Sequence, residues 1–494
     1  MEAFEAAAVG LGHREVPRSG GPSVADALRV LATVRMAADG AGMIDQLRQL
    51  EDLKSFVAAR QAEISVAFDV QQRREQAAAG VPAEEQGAGV GAQVALARRE
   101  SPARGGRLLG LARALTGMPH TFAAFRTGRL NEWRTTLLVR ETACLSVEDR
   151  AAVDEELAAD TGTFDGAGDR TIISAVKAAA YRRDPRSVAK RASHAVTERT
   201  VTIRPAPDTM AYLTALLPVA QGVAAYAALT QEADSLRSSG DERSKGQIMA
   251  DTLVERTTGV AGGVSSIEIQ LVMTDRTLLQ RDSEPARLTG YGTVPAEWAR
   301  RAAMGRLPEV NGLSPVNGRA GGEGLSTWVR RLYTAPVTGD LVAMDSKARF
   351  FPPGLRRFLQ VRDDVCRTPY CDAPIRHDDH IISWFSGGPT TAGNGQGLCE
   401  ACNHAKETPG WSAKPVTVPG ARHTVQLQTP TGHTYQSTAP PLPGTLMPGT
   451  PKSRAPIYAL PLGGSAPATT KPGGRRRQVK PSVQVLGRAG PSPG

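Results

Sequence analysis

Aromatic side chains are scarce in this chain: Phe, Trp and Tyr make up 5% of its 494 residues. A core must therefore rely on Leu, Val and Ala, and such a composition leans towards helices. Cysteine is scarcer still, with five in all. A chain of this length has room for two or three cores and no need of disulfide staples. Long apolar runs are missing. The most apolar window, Ala211 to Leu229, is interrupted by Pro218, Gln221 and Gly222. It reads as a buried helical hairpin and not as a membrane span. Glu2 and Glu5 stand where a secretory signal would be basic, and no apolar signal core follows. The expectation is a cytoplasmic protein with no membrane partner.

Acidic residues are absent from Thr408 to Gly494, a stretch that holds ten Lys or Arg and 16 of the 35 prolines. The chain has 59 basic and 49 acidic side chains, so the other 407 residues carry 49 of each. The whole net charge of +10 therefore sits in the C-terminal segment. Such a tail suits a polyanion such as nucleic acid, although a solubilising role would need the same charge.

Helical patterning begins at Ser23, a candidate cap, and continues beyond Gly42, where Ile44, Leu47, Val57, Ile64 and Phe68 approach a 3.6-residue period. Ala78 to Ala92 is Gly-rich and reads as a loop. Helices are expected over Ala103–Leu115, Thr121–Gly128, Leu130–Cys144, onward from Ser146 with the spacing of a capping box, and over Ile248–Arg256. Cys144 falls in a helical pattern with Leu137 and Leu138 and reads as an inert buried thiol. The basic run Arg182, Arg183, Arg186, Lys190 and Arg191 reads as a solvated helix face. Thr200–Ile203 and Ser266–Met273 alternate as half-buried strands do, and Thr327–Met344 reads as a hairpin. The expected division is a flexible 1–22, a mainly helical 23–325, a connecting hairpin 326–350, a module at 351–411, a short hairpin extension at 412–440 built on His423–Gln428 and His433–Ser437, and a disordered basic tail at 441–494.

Four of the five cysteines fall within 37 positions, as Cys366-x4-Cys371 and Cys399-x2-Cys402. Two closely spaced pairs can surround a tetrahedral zinc ion. A four-cysteine site leaves no open coordination position, so this zinc would be structural. Chemistry would then fall to the polar residues between and beside the pairs: His377, Asp378, Asp379, His380, Asn394, Asn403 and His404. His377 and Asp378 read as solvated supporting groups.

The order Cys-x4-Cys, Asp379-His380, Gly387-Gly388, Asn394-x4-Cys399, Cys-x2-Cys and Lys406 resembles the zinc-bearing HNH endonucleases. The resemblance spans roughly sixty residues. It implies two antiparallel strands and a helix clasping one divalent metal, within an α+β chain whose larger N-terminal part is helical. Arg99-Glu-Ser-Pro-Ala-Arg-Gly-Gly106 and Ala224–Gly240 resemble the uncharacterised actinobacterial domain of unknown function 222.

The resemblance further implies DNA phosphodiester hydrolysis, with His380 as general base and Asn394 holding the loop that orients it. Asp379 would hold Mg²⁺ or another divalent cation, a Lewis acid for the scissile phosphate. Nine positions after Asn394, where the family commonly has a ligating His, this chain has Asn403, and His404 follows. Asn403 is favoured as ligand, since His404 projects about 100° further round a helix; Asn403 could instead cap one. Arg367, Arg376 and Lys406, with Arg475, Arg476 and Arg477 of the tail, are candidate phosphate contacts, and a surface role would suit the first three equally. DNA is the expected partner, and no small-molecule substrate is implied. The competing reading is a zinc-stabilised nucleic-acid-binding protein with weak or no cleavage.

Overall fold

The computed structural model describes residues 23–160, 162–259, 270–304, 345–346, 350–416, 418 and 421–443, all within the unit Met1–Thr445. The expected flexible N-terminus, the Thr327–Met344 hairpin and the tail beyond residue 443, with Arg475, Arg476 and Arg477, lie outside the described residues. The chain is α+β. Helices dominate its N-terminal part, and short strands with two helices make up its C-terminal part.

Local chemistry starts the first two helices. Ser23 caps α1 (Val24–Ala32) in a reciprocal box with Asp26, and Asp39 caps the 39-residue α2 (Gly40–Ala78) through the Gly42 amide. After them come α3 (Val90–Arg98), α4 (Pro102–Leu115), α5 (Pro119–Arg126), α6 (Glu132–Thr142), α7 (Val147–Ala158) and α8 (Asp169–Arg183). Their shared core holds Leu111, Leu115, Met118, Phe125, Leu137, Leu138, Val153, Ile172 and Val176. Cys144 packs partly buried against it. The expected loop at Ala78–Ala92 ends early, because α3 already begins at Val90. Gly105 explains part of the Arg99–Gly106 signature: a Cβ there would overlap Ala95 and the Gly91 carbonyl, so glycine lets α3 and α4 touch backbone to backbone.

The basic run is cut in two at Asp184, which caps α9 (Pro185–Ala195) through the Arg186 and Ser187 amides. Arg182 and Arg183 pair with Glu156, and Arg191 donates to the Arg140 carbonyl at 2.8 Å. The solvated face thus has partners of its own.

Ala211–Leu229 departs from the expected helical hairpin. Its first part is β2 (Met210–Leu216), paired antiparallel with β1 (Thr200–Ala206) from Thr200↔Leu216 to Ala206↔Met210. Pro218 ends the strand and opens α10 (Val219–Ser238), in which only Ala233 is buried. Hydropathy marked the segment, but a full-length strand partner decided its conformation. A further helix, α11 (Lys245–Thr258), packs on α10. Beyond it, β3 (Leu271–Val272), β4 (Ala286–Leu288) and β5 (Gly292–Val294) form a small sheet near α12 (Asp275–Leu279) and α13 (Ala296–Ala303). Among the described residues no helix is long and apolar enough to cross a membrane.

In the C-terminal part, β6 (Asp345–Ser346) pairs with β8 (Thr390–Thr391), and α14 (Pro353–Asp363) packs on β9 (Gly395–Leu398). The strand β7 (His377–His380) runs antiparallel to β9, with His377↔Leu398 and His380↔Gly395 as end pairs, and α15 (Glu400–Lys406) follows. The expected two-stranded extension is a three-stranded meander: β10 (Ser412–Val416) pairs with β11 (Thr424–Gln428), which pairs with β12 (Thr434–Thr438). This region leans on α3 and α4. Thr431 donates to the Gln93 side chain at 3.1 Å, and Leu96, Pro102, Leu398, Ala405 and Trp411 line one crevice.

Asp154 on α7 ties two helices together. It is 1% exposed and accepts the His120 and Thr121 amides at the start of α5, both at 2.8 Å. Asp154→Ala would leave two amides without an acceptor and is expected to cost about 2–4 kcal/mol, with Asn recovering part of it. A fall in the urea midpoint at constant slope checks this.

Candidate functional site

The four sulfurs come from three places that chain geometry fixes. Cys366 follows α14, Cys371 ends a turn in which Tyr370 is left-handed (φ 63°), and Cys399 and Cys402 share the first turn of α15, with Cys399 at its N-cap. All four are buried, none forms a disulfide, and the sulfurs lie within 4.8 Å of one another. Cys371 Sγ and Cys399 Sγ are 3.8 Å apart. Tetrahedral zinc with Zn–S bonds near 2.3 Å needs S···S of about 3.8 Å, so the donor set fits a structural zinc ion. Hydrogen bonds from Cys371 and Cys402 push the Cys366 thiol strongly down, and the same bonds push Cys371 and Cys402 up. A bound dication would hold all four as thiolates.

On β7 successive side chains alternate in direction. Asp379 meets Lys406 of α15, with Nζ 2.7 Å from Oδ2, while Gln396 approaches the same oxygen at 3.5 Å. Lys406 also donates to the His380 carbonyl at 2.7 Å and is largely buried. It therefore binds the strand that carries Asp379 and His380, and does not stand out as a surface cation. His380 is 9% exposed, with Nε2 2.9 Å from the buried Thr390 hydroxyl and the Phe351 ring tilted at 37° against its own at 4.5 Å.

Asn394 closes the loop between them. Its Oδ1 accepts the Ile382 amide at 2.9 Å, and its Nδ2 donates to the carbonyls of Ile382 at 3.0 Å and Pro389 at 2.9 Å. The Ile381 amide donates to its carbonyl at 2.7 Å. Gly388 must be glycine here, because a Cβ would run into the Ile382 carbonyl and the Asn394 amide. Asn394 thus fixes the residues on both sides of the turn that follows His380.

On α15, Asn403 Oδ1 is buried without a hydrogen-bond partner, while His404 is exposed. A buried carbonyl oxygen left unsatisfied is rare and costly unless something cationic or protic meets it. Carboxylate and amide carbonyl oxygens are donor types that a hard divalent cation takes, and Asp379 and Asn403 carry one kind each. Among the described residues, the four cysteines are the only group of three or more His, Cys, Asp or Glu gathered closely enough to hold a metal ion.

Two further expectations need correction. Asp378 is not a solvated group: its side chain is 5% exposed, Arg356 Nε lies 3.0 Å away, and burial pushes its carboxyl up. Arg367 does not face solvent either. It is 3% exposed and donates to the Ser437 carbonyl at 2.5 Å and the His423 carbonyl at 3.3 Å, bracing β12. Arg376 is exposed.

Sequence reading missed the charges beneath β9. Arg362 donates to the Ala392 carbonyl at 2.6 Å and the Gly395 carbonyl at 2.8 Å, and Asp363 accepts the Gly397 amide at 2.8 Å. The two also pair with each other at 2.7 Å, both almost fully buried. The adjacent Arg-Asp in a helical segment was the available signal, but nothing local reveals their targets some thirty residues away. Thr390 and His423 were missed as well. His423 Nε2 donates to the Gly393 carbonyl at 3.1 Å, beside Asn394.

A family model described as domain of unknown function (DUF222) matches residues 47–304, more than half of the chain. The chain belongs to this family. A second model, described as HNH endonuclease, matches residues 366–408. No curated protein and no solved structure matches. The HNH match contains the four cysteines, Asp379, His380, Asn394 and Asn403. It omits α14, whose Arg362 and Asp363 hold β9, and the DUF222 match ends within the residue that follows α13.

Two outcomes follow from this chemistry. Changing any one of Cys366, Cys371, Cys399 or Cys402 to Ser should reduce bound zinc from about one per chain and loosen the HNH region, since metal binding in such sites contributes on the order of 10 kcal/mol to folding; elemental analysis with near-UV circular dichroism reads both. Burial, with the Arg362 charge next, pushes His423 down to about 4 from an ordinary value of 6.5. The unfolded state then binds the extra proton, so stability should fall as pH drops from about 6.5 towards 4. Thermal midpoints across that range should fall less steeply in His423→Gln.

Proposed function

We propose that this protein is a metal-dependent endonuclease that hydrolyses DNA phosphodiester bonds. The observation that carries the reading is the buried, unpartnered Oδ1 of Asn403 within an HNH match, a donor of the kind a hard cation satisfies. In this reading Asp379 and Asn403 hold a divalent cation such as Mg²⁺, and His404, exposed on the same helix, is the less favoured ligand. When bound, the cation supplies Lewis-acid stabilisation to the scissile phosphate and the leaving 3′ oxygen.

His380 is the general base that takes the proton from the attacking water. The Thr390 hydroxyl and the Phe351 face hold its ring, so little reorganisation precedes proton transfer. Asn394 keeps the loop after His380 in one shape without meeting the phosphate. Lys406 fixes Asp379 on the side of α15. Arg376 and the tail arginines Arg475, Arg476 and Arg477 are proposed to meet DNA phosphates, with structural zinc holding the module together.

A second reading, nucleic-acid binding with little cleavage, draws support from the Lys406–Asp379 ion pair, which already neutralises the proposed carboxylate ligand. Supercoiled-plasmid nicking with Mg²⁺, Mn²⁺ or EDTA separates the two. Metal-dependent nicking is expected, and His380→Ala should reduce it roughly 10²–10⁴-fold at unchanged zinc content. Asn403→Ala should raise the Mg²⁺ concentration needed, and His404→Ala should not. Zinc-loaded wild-type protein that binds DNA and never nicks it would replace the first reading by the second.

A further inference from the structure

The long helix α2 is amphipathic in an inverted sense. The residues it buries are small or polar: Ser55, Ala59, Ala62, Ser65, Asp69 and Gln72. Its large apolar residues stand on another face. Met43, Leu50, Val57 and Ile64 recur every seven positions, and Leu47 falls four after Met43; all five are between 38% and 62% exposed. A surface helix ordinarily turns its large apolar stripe to the core. No residue of α2 before Ser55 is buried at all.

The shorter helix α1 repeats the pattern. Ser23 and Asp26 cap it reciprocally, yet none of its nine residues is buried. Val24, Leu28 and Leu31 have a four-then-three spacing and are exposed. A helix of that length is marginal in water without a surface to pack on. The chain between the two helices is anchored on α2, where the Gln46 side chain accepts the Ala37 amide at 2.8 Å and donates to the Arg35 carbonyl at 2.7 Å.

We propose that this face is a dimer interface, on which α2 packs as a coiled coil against α2 of a second copy of this chain. A seven-residue apolar repeat, kept from Met43 to Ile64 over three heptads, follows a left-handed supercoil, so the surface it fits is a helix with the same repeat. A second copy brings that repeat by twofold symmetry. The size agrees. At about 1.45 Å² per dalton for an extended residue, the five stripe residues with Ile44, Val24, Leu28 and Leu31 leave about 800 Å² open, as much as each partner of a stable dimer buries.

Charge argues against other occupants. Residues 40–64 hold three basic and four acidic side chains, and Arg48, Lys54 and Arg60 pair within the helix with Asp45, Glu51 and Glu63. Nucleic acid finds no positive field there, and neither does an anionic membrane surface. Lys54 and Gln61 follow Leu47 at seven-residue steps and so fall in the seam, where polar residues fix register at a cost in stability. The inference does not rest on the nuclease reading, and it gives one assembly two HNH regions.

Sedimentation velocity of the full, zinc-loaded chain tests it. A particle of twice 52.2 kDa is expected at micromolar concentration. Leu50→Glu and Val57→Glu each place a charge at a position that is exposed in the single chain. Helix content and bound zinc should therefore stay at wild-type values, while the dimer dissociation constant rises about 30-fold or more. Lys54→Leu removes a charge from the seam and should lower that constant; it carries the test where a Glu variant loses helix content. Wild-type protein with the mass of one chain throughout the micromolar range would overturn the proposal and leave the stripe to a segment of the same chain. A dimer that both Glu variants leave unchanged would place the interface elsewhere. A ladder of larger species would also overturn it, because a closed twofold contact stops at two.

Discussion

Four sulfurs set the starting point of the helix that carries Asn403. Two of them occupy its N-cap and first turn, so the cluster fixes where the helix begins and how it is rotated. Everything on α15 inherits that rotation: Asn403 turned inward, His404 outward and Lys406 reaching Asp379. The apolar core near the site is small, with Phe351, Leu355, Phe358, Leu359 and Ala392 on one side and little beyond the cysteines and Leu398 on the other. A core of that size specifies few side-chain positions by packing alone, and a metal ion held by the four sulfurs would add directional bonds.

Directional polar contacts do the same work across the strands. Asn394 satisfies three backbone groups, Arg362 two, and Asp363 one. Each is deeply buried, where an unmet donor or acceptor would be costly. The consequence is a loop arrangement held by these six hydrogen bonds. Ground is thereby prepared for His380: its ring rests against Phe351 and Thr390, and both neighbours are positioned by elements that these contacts hold.

What the sequence made legible was local. Cys-x4-Cys and Cys-x2-Cys are covalent spacings, and the short helix, the Asp379-His380 strand end and the caps at Ser23 and Ser146 depend on residues a few positions apart. Where the answer lay with a distant partner, reading failed. Arg367 looked like a free cation until β12 covered it, and Asp378 looked solvated until Arg356 closed over it. The apolar window at Ala211–Leu229 held enough hydrophobicity for a helix, yet its first half found Thr200–Ala206 as a strand partner. Of the glycines that marked a loop at Ala78–Ala92, Gly91 instead lies in α3, close against Gly106 of α4.

One contact bears on where this protein divides. Arg287 lies on β4, within the span matched to DUF222, and is 6% exposed; its guanidinium donates to the Val361 carbonyl on α14 and lies 3.8 Å from Asp364. That arginine has its partners in the segment between the two family matches, beyond the end of the DUF222 match. Severing the chain there would leave a buried cation without an acceptor on one fragment and an exposed helix end on the other. The limits of the two family matches are therefore not limits of buried contact in this chain. The segment that neither family match covers is tied to the DUF222 side by a buried arginine.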